Sequence, residues 1–221
     1  LSDLKEIARL IADGGDCRLT VLDVGTGLDV AAETGRRRRL DAKLPALTHH
    51  AAKARVLRLT VDRDPVLIRA MPLVTVHGVT VEPPPGSFVQ AAGEAETAMA
   101  AIAVAAIAKA KAKRVADLFC GLGAFTFALA QKARVLAIDS DRAMVTALAT
   151  AARGATGLKP IETSVRDLFH DPLSPRELDR LEAVVFDPPR AGAKAQAEAL
   201  AASKVKTVVA VSCNPATLAR D

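Results

Sequence analysis

The second part of the chain alternates between short apolar runs and amphipathic stretches. Apolar runs with the length of buried strands lie at 114–119, 135–139, 160–164, 183–187 and 205–211. Helical spacing of apolar residues falls between them, at 124–131, 142–153 and 194–202, and an alanine-rich helix is predicted before them at 94–111. Strands that alternate with helices are typical of an α/β fold with a doubly wound, mostly parallel sheet. In such sheets ligands bind at the carboxyl ends of the strands.

Residues 1–87 show a different pattern, in which apolar and polar residues alternate over short runs, as they do in strands. Hairpins are predicted to turn at Gly25-Thr26-Gly27, Asp62-Arg63-Asp64 and His77-Gly78. With one or two helices, this part is predicted to be a small β-rich α+β region. The stretch Pro83-Pro84-Pro85-Gly86 then interrupts the pattern. We therefore expect two domains, 1–87 and 88–221.

Composition and charge limit the classes of function. Half of the 221 residues are apolar, which indicates a globular protein, and the longest apolar run, 98–108, is too short to cross a bilayer. The formal net charge is +5, and the run Arg36-Arg37-Arg38-Arg39 suits either a phosphate-binding patch or a solvated loop. Because Tyr and Trp are absent, RNA binding on a platform of stacked aromatic rings is disfavoured. Charge and a shaped pocket would have to bind RNA instead.

The cysteines and histidines predict no metal site and no disulfide framework. Cys17, Cys120 and Cys213 are far apart in the sequence, and the four histidines lack the spacing of a ligand set. Free thiols fit a reducing compartment, so we expect a cytoplasmic protein without a membrane partner. The sequence does not indicate an oligomeric state.

A glycine turn joins the first strand of the predicted sheet to its helix. In DLFCGLGAFT, at 117–126, Gly121 and Gly123 let the backbone turn sharply and approach a ligand at the start of the helix. The next strand ends in Asp139, a carboxylate placed to accept both ribose hydroxyls of an adenosine cofactor. A second such motif, Asp23-Val24-Gly25-Thr26-Gly27, is interpreted as a hairpin turn, because the arginine run follows it where a helix would be needed.

Details around the turn favour S-adenosylmethionine over a dinucleotide. Thr126 occupies the place of the third glycine in a dinucleotide motif. Asp117, which precedes the glycines, suits a ligand that ends in an ammonium group, as S-adenosylmethionine does. Asp167, after the third strand, is either an acceptor for an adenine amino group or a carboxylate that caps its own loop.

Two further motifs follow the fourth and fifth strands. In DPPRAG, at 187–192, two prolines stiffen a loop that holds Asp187 and Arg190 where a substrate base could lie. In SCNPATLARD, at 212–221, Cys213 lies between a strand and a helix for which Asn214 is the predicted N-cap. A thiol just outside a helix N-terminus is favoured as the reactive thiolate. A buried structural cysteine is the alternative.

Together the three motifs resemble the RNA uracil-5-methyltransferase family, whose members make 5-methyluridine in tRNA or 23S rRNA. The resemblance covers 88–221. It implies a Rossmann-like class I methyltransferase domain, S-adenosylmethionine as cofactor and rRNA or tRNA as partner. It implies Cys213 as the nucleophile, which adds to C6 of uracil so that C5 can take the methyl group, with Asp187 beside it in catalysis. Residues implied to contact cofactor or uracil are Gln90, Asp117, Phe119, Gly121, Gly123, Asp139, Asp167, Asp187, Arg190 and Asn214.

The chain also departs from the family's pattern. Ala92 and Ala124 stand where many members have Asn, which removes polar contacts expected with the cofactor. The family's proton-abstracting Glu, its N-terminal RNA-binding barrel and, in some members, a cluster held by four cysteines have no counterpart here, so we expect a chain truncated at its C-terminus. Two alternatives remain: a methyltransferase for another acceptor, and a noncatalytic RNA-binding module.

Overall fold

A computed structural model describes residues 1–35, 40–87 and 93–221. The predictions made for Arg36–Arg39, Gln90 and Ala92 lie outside these residues. Contacts between Cα atoms divide the chain into two compact units. The first consists of Leu1–Val74 and the segment that begins at Glu82, and the second consists of Thr75–Val81 and the segment that ends at Asp221. The hairpin at 74–81 is thus grouped mainly with the second unit.

Within the described residues the first unit is a four-stranded sheet covered by helices. Its strands, in spatial order, are β1 (Arg18–Asp23), β2 (Leu28–Glu33), β3 (Val56–Val61) and β4 (Asp64–Ile68). The β2–β3 pair is parallel and the other two pairs are antiparallel. Helix α1 (Ser2–Ala12), a 3₁₀ turn (Asp41–Lys43) and helix α2 (Leu44–Lys53) complete the unit. The expected small α+β region is confirmed, and the core between helices and sheet contains Ile7, Ile11, Leu47 and Leu59.

The predicted turns have the backbone that their residues favour. Asp62 and Arg63, between β3 and β4, both have positive φ, as do His77 and Gly78 between β5 (Val74–Val76) and β6 (Val79–Val81). Two-residue hairpin turns of this kind match the twist of the flanking strands. The second glycine motif, from Asp23 onward, is indeed the turn between β1 and β2: the Gly25 N–H donates to the Asp23 carboxylate at 2.8 Å.

The described part of the second unit contains the predicted parallel sheet. Its strands follow the chain as β7 (Arg114–Leu118), β8 (Arg134–Asp139), β9 (Ile161–Val165), β10 (Ala183–Phe186) and β11 (Thr207–Ala210), and lie in the spatial order β11-β10-β7-β8-β9. Every pair is parallel. The order reverses direction between β7 and β10, which is where doubly wound sheets bind ligands. All four residues of β10 are buried, as expected of a central strand covered on both faces.

Helices connect these strands. They are α3 (Gly93–Lys109), α4 (Thr126–Ala130), α5 (Arg142–Gly154), α6 (Pro175–Leu178), α7 (Lys194–Ala201) and α8 (Pro215–Arg220). Asp141 begins α5 by accepting hydrogen bonds from the N–H groups of Ala143 and Met144. Across the described ranges, no helix combines the length and the apolar character needed to cross a membrane.

Candidate functional site

The carboxyl ends of the parallel strands lie along one edge of the sheet and carry most of the residues that the motifs singled out. Five residues at or just after the strand ends, one per strand, form what we call the carboxyl-end row; in the order of the strands it is Cys213, Asp187, Phe119, Asp139 and Asp167. Neighbouring strands lie about 4.8 Å apart, so the four spacings of this row span about 19 Å. The sheet order therefore places residues from distant motifs side by side.

Backbone hydrogen bonds hold neighbouring strand ends in register. The Val211 N–H donates to the Phe186 carbonyl at 2.9 Å, and the Asp187 N–H donates to the Leu118 carbonyl at 3.3 Å. On the other side, the Cys120 N–H donates to the carbonyl of Ile138 at 3.0 Å. These bonds continue the ladders past the last residue of each strand, so the loops that carry the row begin from fixed positions.

The two glycines of the turn serve different purposes. Gly123 has φ 100°, and a Cβ there would lie 2.7 Å from the ring of Phe127, so this position needs both the left-handed backbone and the missing side chain. Gly121 also has positive φ, but a Cβ there would meet no atom within 4 Å. The backbone at Gly121 therefore faces open space through which a ligand could approach.

Asp139 is bound into this turn. Its Oδ2 accepts a hydrogen bond from the Gly121 N–H at 2.9 Å, and its Oδ1 accepts one from the Asp141 N–H at 2.9 Å. Each carboxylate oxygen can accept a further bond. Asp139 thus shapes the glycine turn and keeps acceptor capacity at the end of β8.

Asp117 lies beneath the turn and is fully buried. The hydroxyl of Thr126 donates to its Oδ2 at 2.5 Å, whereas its Oδ1 has no hydrogen-bond partner among the described residues. The pKa of Asp117 is raised to about 7, mainly by burial; the hydrogen bond from Thr126 lowers it, and the charges of Asp187 and Asp139 add to the increase. A buried acceptor without a hydrogen bond raises the free energy of the folded protein unless a ligand binds it. A cationic ligand group would offset this cost best.

A hairpin tip also contacts the glycine turn within the second unit. His77, at the tip between β5 and β6, places its Nε2 2.8 Å from the carbonyl oxygen of Ala124. Because a carbonyl only accepts, this contact assigns the proton to Nε2. The hairpin tip is therefore hydrogen-bonded to the turn at Ala124, the position where many family members have Asn.

Asp167 lies in a tight loop after β9. Its Oδ1 accepts from the Phe169 N–H at 2.9 Å and its Oδ2 lies 2.8 Å from His170 Nδ1. The bond with His170 is the main cause that holds the pKa of Asp167 below its ordinary value. Asp167 does cap its own loop, as one of the two interpretations expected, and it is exposed at the sheet edge where it could also accept from a ligand.

Residues that no sequence motif marks as functional complete this part of the site. Thr126, which occupies the place of the third glycine in a dinucleotide motif, is the hydrogen-bond partner of Asp117. The ring of Phe169 lies 5.5 Å from that of Phe119, and 43% of Phe169 is exposed.

The loop after β9 is joined to α6 by an arginine: Arg166 binds Glu177 at 2.7 Å and Asp171 at 2.9 Å. The Ser-Pro-Arg-Glu signature of a capped helix at 174–177 could have revealed α6, and its capping box is present.

Asp187 is half-buried at the end of β10, and burial raises its pKa. No described residue donates a hydrogen bond to its carboxylate, so the group is available to a ligand. Arg190, three residues on, is exposed, and its carbonyl accepts from the side-chain amide of Asn214 at 3.4 Å. The DPPRAG loop is thereby joined to the segment that carries Cys213.

Cys213 is exposed, so the alternative of a buried structural cysteine is wrong. The predicted N-cap is confirmed: Asn214 accepts from the Ala216 N–H at 3.1 Å and begins α8. Cys120 differs from Cys213 in its accessibility. It is buried, and its burial, together with the charges of Asp117 and Asp139, raises the pKa of its thiol well above the ordinary value.

The sheet order, the glycine turn after the first strand of the sheet and the carboxylate at the end of the next strand define the class I methyltransferase fold. The chain belongs to the tRNA (uracil-5-)-methyltransferase family, whose profile matches residues 47–221. Among the described residues, no group of three or more His, Cys, Asp and Glu side chains could hold a metal ion.

Curated relatives support this membership, and a solved structure supports the fold. An uncharacterized RNA methyltransferase of Brucella suis is 46% identical over 100% of the chain and 53% of its own length. The 23S rRNA (uracil(1939)-C(5))-methyltransferase RlmD of Shewanella amazonensis is 36% identical over 68% of the chain and 34% of its own length. The chain thus spans about half the length, or less, of these curated relatives. The crystal structure of Pyrococcus abyssi tRNA (uracil-54, C5)-methyltransferase with S-adenosyl-L-homocysteine shares the fold, with a TM-score of 0.73 at 20% identity over 100% of this chain and 58% of that one.

Proposed function

We propose that the protein carrying this chain transfers a methyl group from S-adenosylmethionine to C5 of a uridine in rRNA or tRNA. The observation that carries the proposal is the carboxyl-end row: the exposed Cys213 follows the strand next to that of Asp187, whose carboxylate accepts no hydrogen bond from the described residues, on the same sheet edge as the glycine turn. Family membership and the names of the relatives support the same reaction. Reduced thiols fit the cytoplasm, where we place the protein.

The residues at the turn fit the amino-acid end of S-adenosylmethionine. The unpartnered Oδ1 of Asp117 would accept from the ammonium group, and Thr126 holds that carboxylate in place. Gly121 leaves space for the ligand, and Gly123 lets α4 pack closely beneath it. When bound, the cofactor supplies a methyl group activated by a positively charged sulfur.

The residues beyond the turn fit the adenosine end. Asp139 would accept from the ribose hydroxyls with the lone pairs that its backbone bonds leave free. The paired rings of Phe119 and Phe169 would contact a face of the adenine. Asp167 would accept from the adenine amino group while its own loop remains capped.

The other half of the row fits a uracil base. Asp187 would accept from the N3–H of the ring, and Arg190 and Asn214, which are joined by a hydrogen bond in the loops after β10 and β11, would contact the base. The resemblance adds Gln90 as a contact to both ligands. A base paired within RNA would have to leave its stack to reach this edge.

Uracil C5 is too weak a nucleophile to take a methyl group directly, so Cys213 would first add to C6 of the ring. The thiolate forms a bond to C6, and the electrons of the C5–C6 double bond move to give an enolate. C5 would then take the methyl group that bound S-adenosylmethionine supplies, and the electrons of the broken methyl–sulfur bond would stay on sulfur. A base takes the C5 proton, the double bond re-forms, and the bond between C6 and Cys213 breaks with its electrons returning to the thiolate.

Trapping with RNA that contains 5-fluorouridine tests the proposal. Fluorine at C5 cannot leave as a proton does, so the bond between Cys213 and C6 should persist and be visible by mass spectrometry. The full gene product and its Cys17→Ala control should both form this adduct in the presence of S-adenosylmethionine. Cys213→Ala should form none.

Two results would contradict the proposal. An adduct that persists in Cys213→Ala would place the nucleophile elsewhere. RNA binding without an adduct in the unaltered protein would favour the noncatalytic RNA-binding module instead.

A further inference from the structure

The last turn of α8 contacts the loop that follows Asp187. The Asp221 carboxylate has only 4% of its side chain exposed, and its Oδ2 accepts a hydrogen bond from the Ala193 N–H at 2.6 Å. Arg220 donates to the Ala191 carbonyl at 2.9 Å and pairs with Asp221 Oδ1 at 2.5 Å. Two adjacent residues of one motif therefore satisfy backbone groups on both sides of Gly192 in the other.

Gly192 is shaped to receive these two side chains. Its φ is 80°, and a Cβ there would collide with the Asp221 carboxylate and with the Arg220 guanidinium. A glycine at this position thus supplies a left-handed backbone and also makes room for the ion pair. The structure gives a physical reason for the glycine in DPPRAG that depends on the last residues of SCNPATLARD.

The start of α8 holds the same loop at its other end. Asn214 donates from its side-chain amide to the Arg190 carbonyl at 3.4 Å, next to Cys213. Hydrogen bonds at both ends of the helix thus join it to the loop 190–193. Because Asp187 and Cys213 are carried by different strands, such cross-links limit how far the two loops can move apart.

We infer that Arg220 and Asp221 are positioning residues, which fix the loop after Asp187 against α8 and so set the distance between Asp187 and Cys213. The inference rests on the proposed function, and it extends the site to two residues that touch neither base nor cofactor. Addition of a thiolate to C6 needs the sulfur near van der Waals distance of the carbon and aligned with its π orbital, and a displacement of about 1 Å can cost about 100-fold in rate.

Substitutions at Asp221 in the full gene product test the inference. Asp221→Ala should slow adduct formation with 5-fluorouridine RNA by about 100-fold, since the loop loses its buried acceptor. Asp221→Asn keeps an acceptor for the Ala193 N–H but not the ion pair. Its rate of adduct formation should therefore lie between that of the unaltered protein and that of Asp221→Ala. The dissociation constant of S-adenosylmethionine, measured by calorimetry, should change by less than about 3-fold, because its proposed contacts follow β7, β8 and β9 and not the loop 190–193.

Glu198→Ala is the matched control. Glu198 lies on α7, beyond the loop, and forms an exposed pair with Lys194 at 3.8 Å. Its removal should leave the adduct rate unchanged. If Asp221 only stabilised the fold, Asp221→Ala would lower the melting temperature without changing the rate of adduct formation in folded protein, and that result would overturn the inference.

A double-substitution cycle with Gly192→Ala adds a second test. The backbone strain of alanine at this φ is the same in both backgrounds, so the cycle reports the collision with the Asp221 carboxylate and with the Arg220 guanidinium that Asp221 holds in place. Alone, Gly192→Ala should slow adduct formation by about 10-fold or more. Added to Asp221→Ala, it should slow adduct formation by much less. Additive effects would contradict the inference. Absence of an adduct in the unaltered protein would instead refute the proposed function.

Discussion

The carboxyl group of Asp117 is a buried acid whose charge depends on what surrounds it. Burial raises its pKa from 3.8 to about 7, although Thr126 donates a hydrogen bond to it. Between about pH 4 and pH 7 the folded protein therefore keeps a proton that the unfolded chain has lost. Because the folded state binds more protons in this range, its stability falls as the pH rises.

Substitution of Asp117 by Asn should remove this pH dependence, since Asn resembles the protonated acid and cannot ionise. Each pKa unit corresponds to about 1.4 kcal/mol. The free energy of unfolding of the wild type should therefore fall, relative to that of the variant, by roughly 4 kcal/mol from pH 4 to pH 7. Urea unfolding of both proteins across this range measures it. A constant difference between their free energies of unfolding would mean that Asp117 is ionised in the folded protein throughout.

At the scale of elements, the periodic parts of the chain were predictable and the short or irregular parts were not. The strands of the parallel sheet were predicted to within about two residues at each end, because buried runs such as 183–187 have an unambiguous length and composition. Helix α6 was missed because its four residues are too few to show a period. The end of β7 differs from the prediction because Phe119, the last predicted residue, has φ 63°, so the backbone leaves the strand there.

Contacts between elements were beyond prediction from one sequence. Arg58 and Asp29 form a buried ion pair, with bonds of 2.9 and 2.6 Å, and Arg58 also donates to the Pro83 carbonyl at 2.6 Å. The partners are 29 residues apart and meet only because β2 and β3 pair in one particular register. Nothing local in the sequence marks either residue as buried.

Breaking this pair should destabilise the first unit strongly. Arg58→Met leaves the Asp29 carboxylate buried without its partner, which we expect to cost about 3–5 kcal/mol in the free energy of unfolding. The double substitution Arg58→Met with Asp29→Leu removes both charges and should recover most of that loss. Denaturant unfolding of the two variants distinguishes these cases. Equal destabilisation by both would show that shape, and not charge, matters at this position.

At the scale of the whole molecule, the excess of basic residues predicts how binding to RNA depends on salt. The net charge is +5, and Arg36–Arg39 contribute four positive charges in one run. If this run contacts phosphates, changing all four to Ala should lessen the slope of log affinity against log salt by about 3. Titration of labelled RNA at several salt concentrations measures the slope. An unchanged slope would identify the run as a solvated loop.

The path of the chain between the two units has a practical consequence. The backbone passes from the first unit to the second at Thr75, returns at Glu82 and crosses again before residue 93. A fragment started after the proline stretch would contain strands β7 to β11 but would lack His77, whose ring is hydrogen-bonded to the Ala124 carbonyl. Anyone dissecting this protein into separately expressed pieces should therefore retain the small hairpin, or supply it in trans, before concluding that the larger piece is inert.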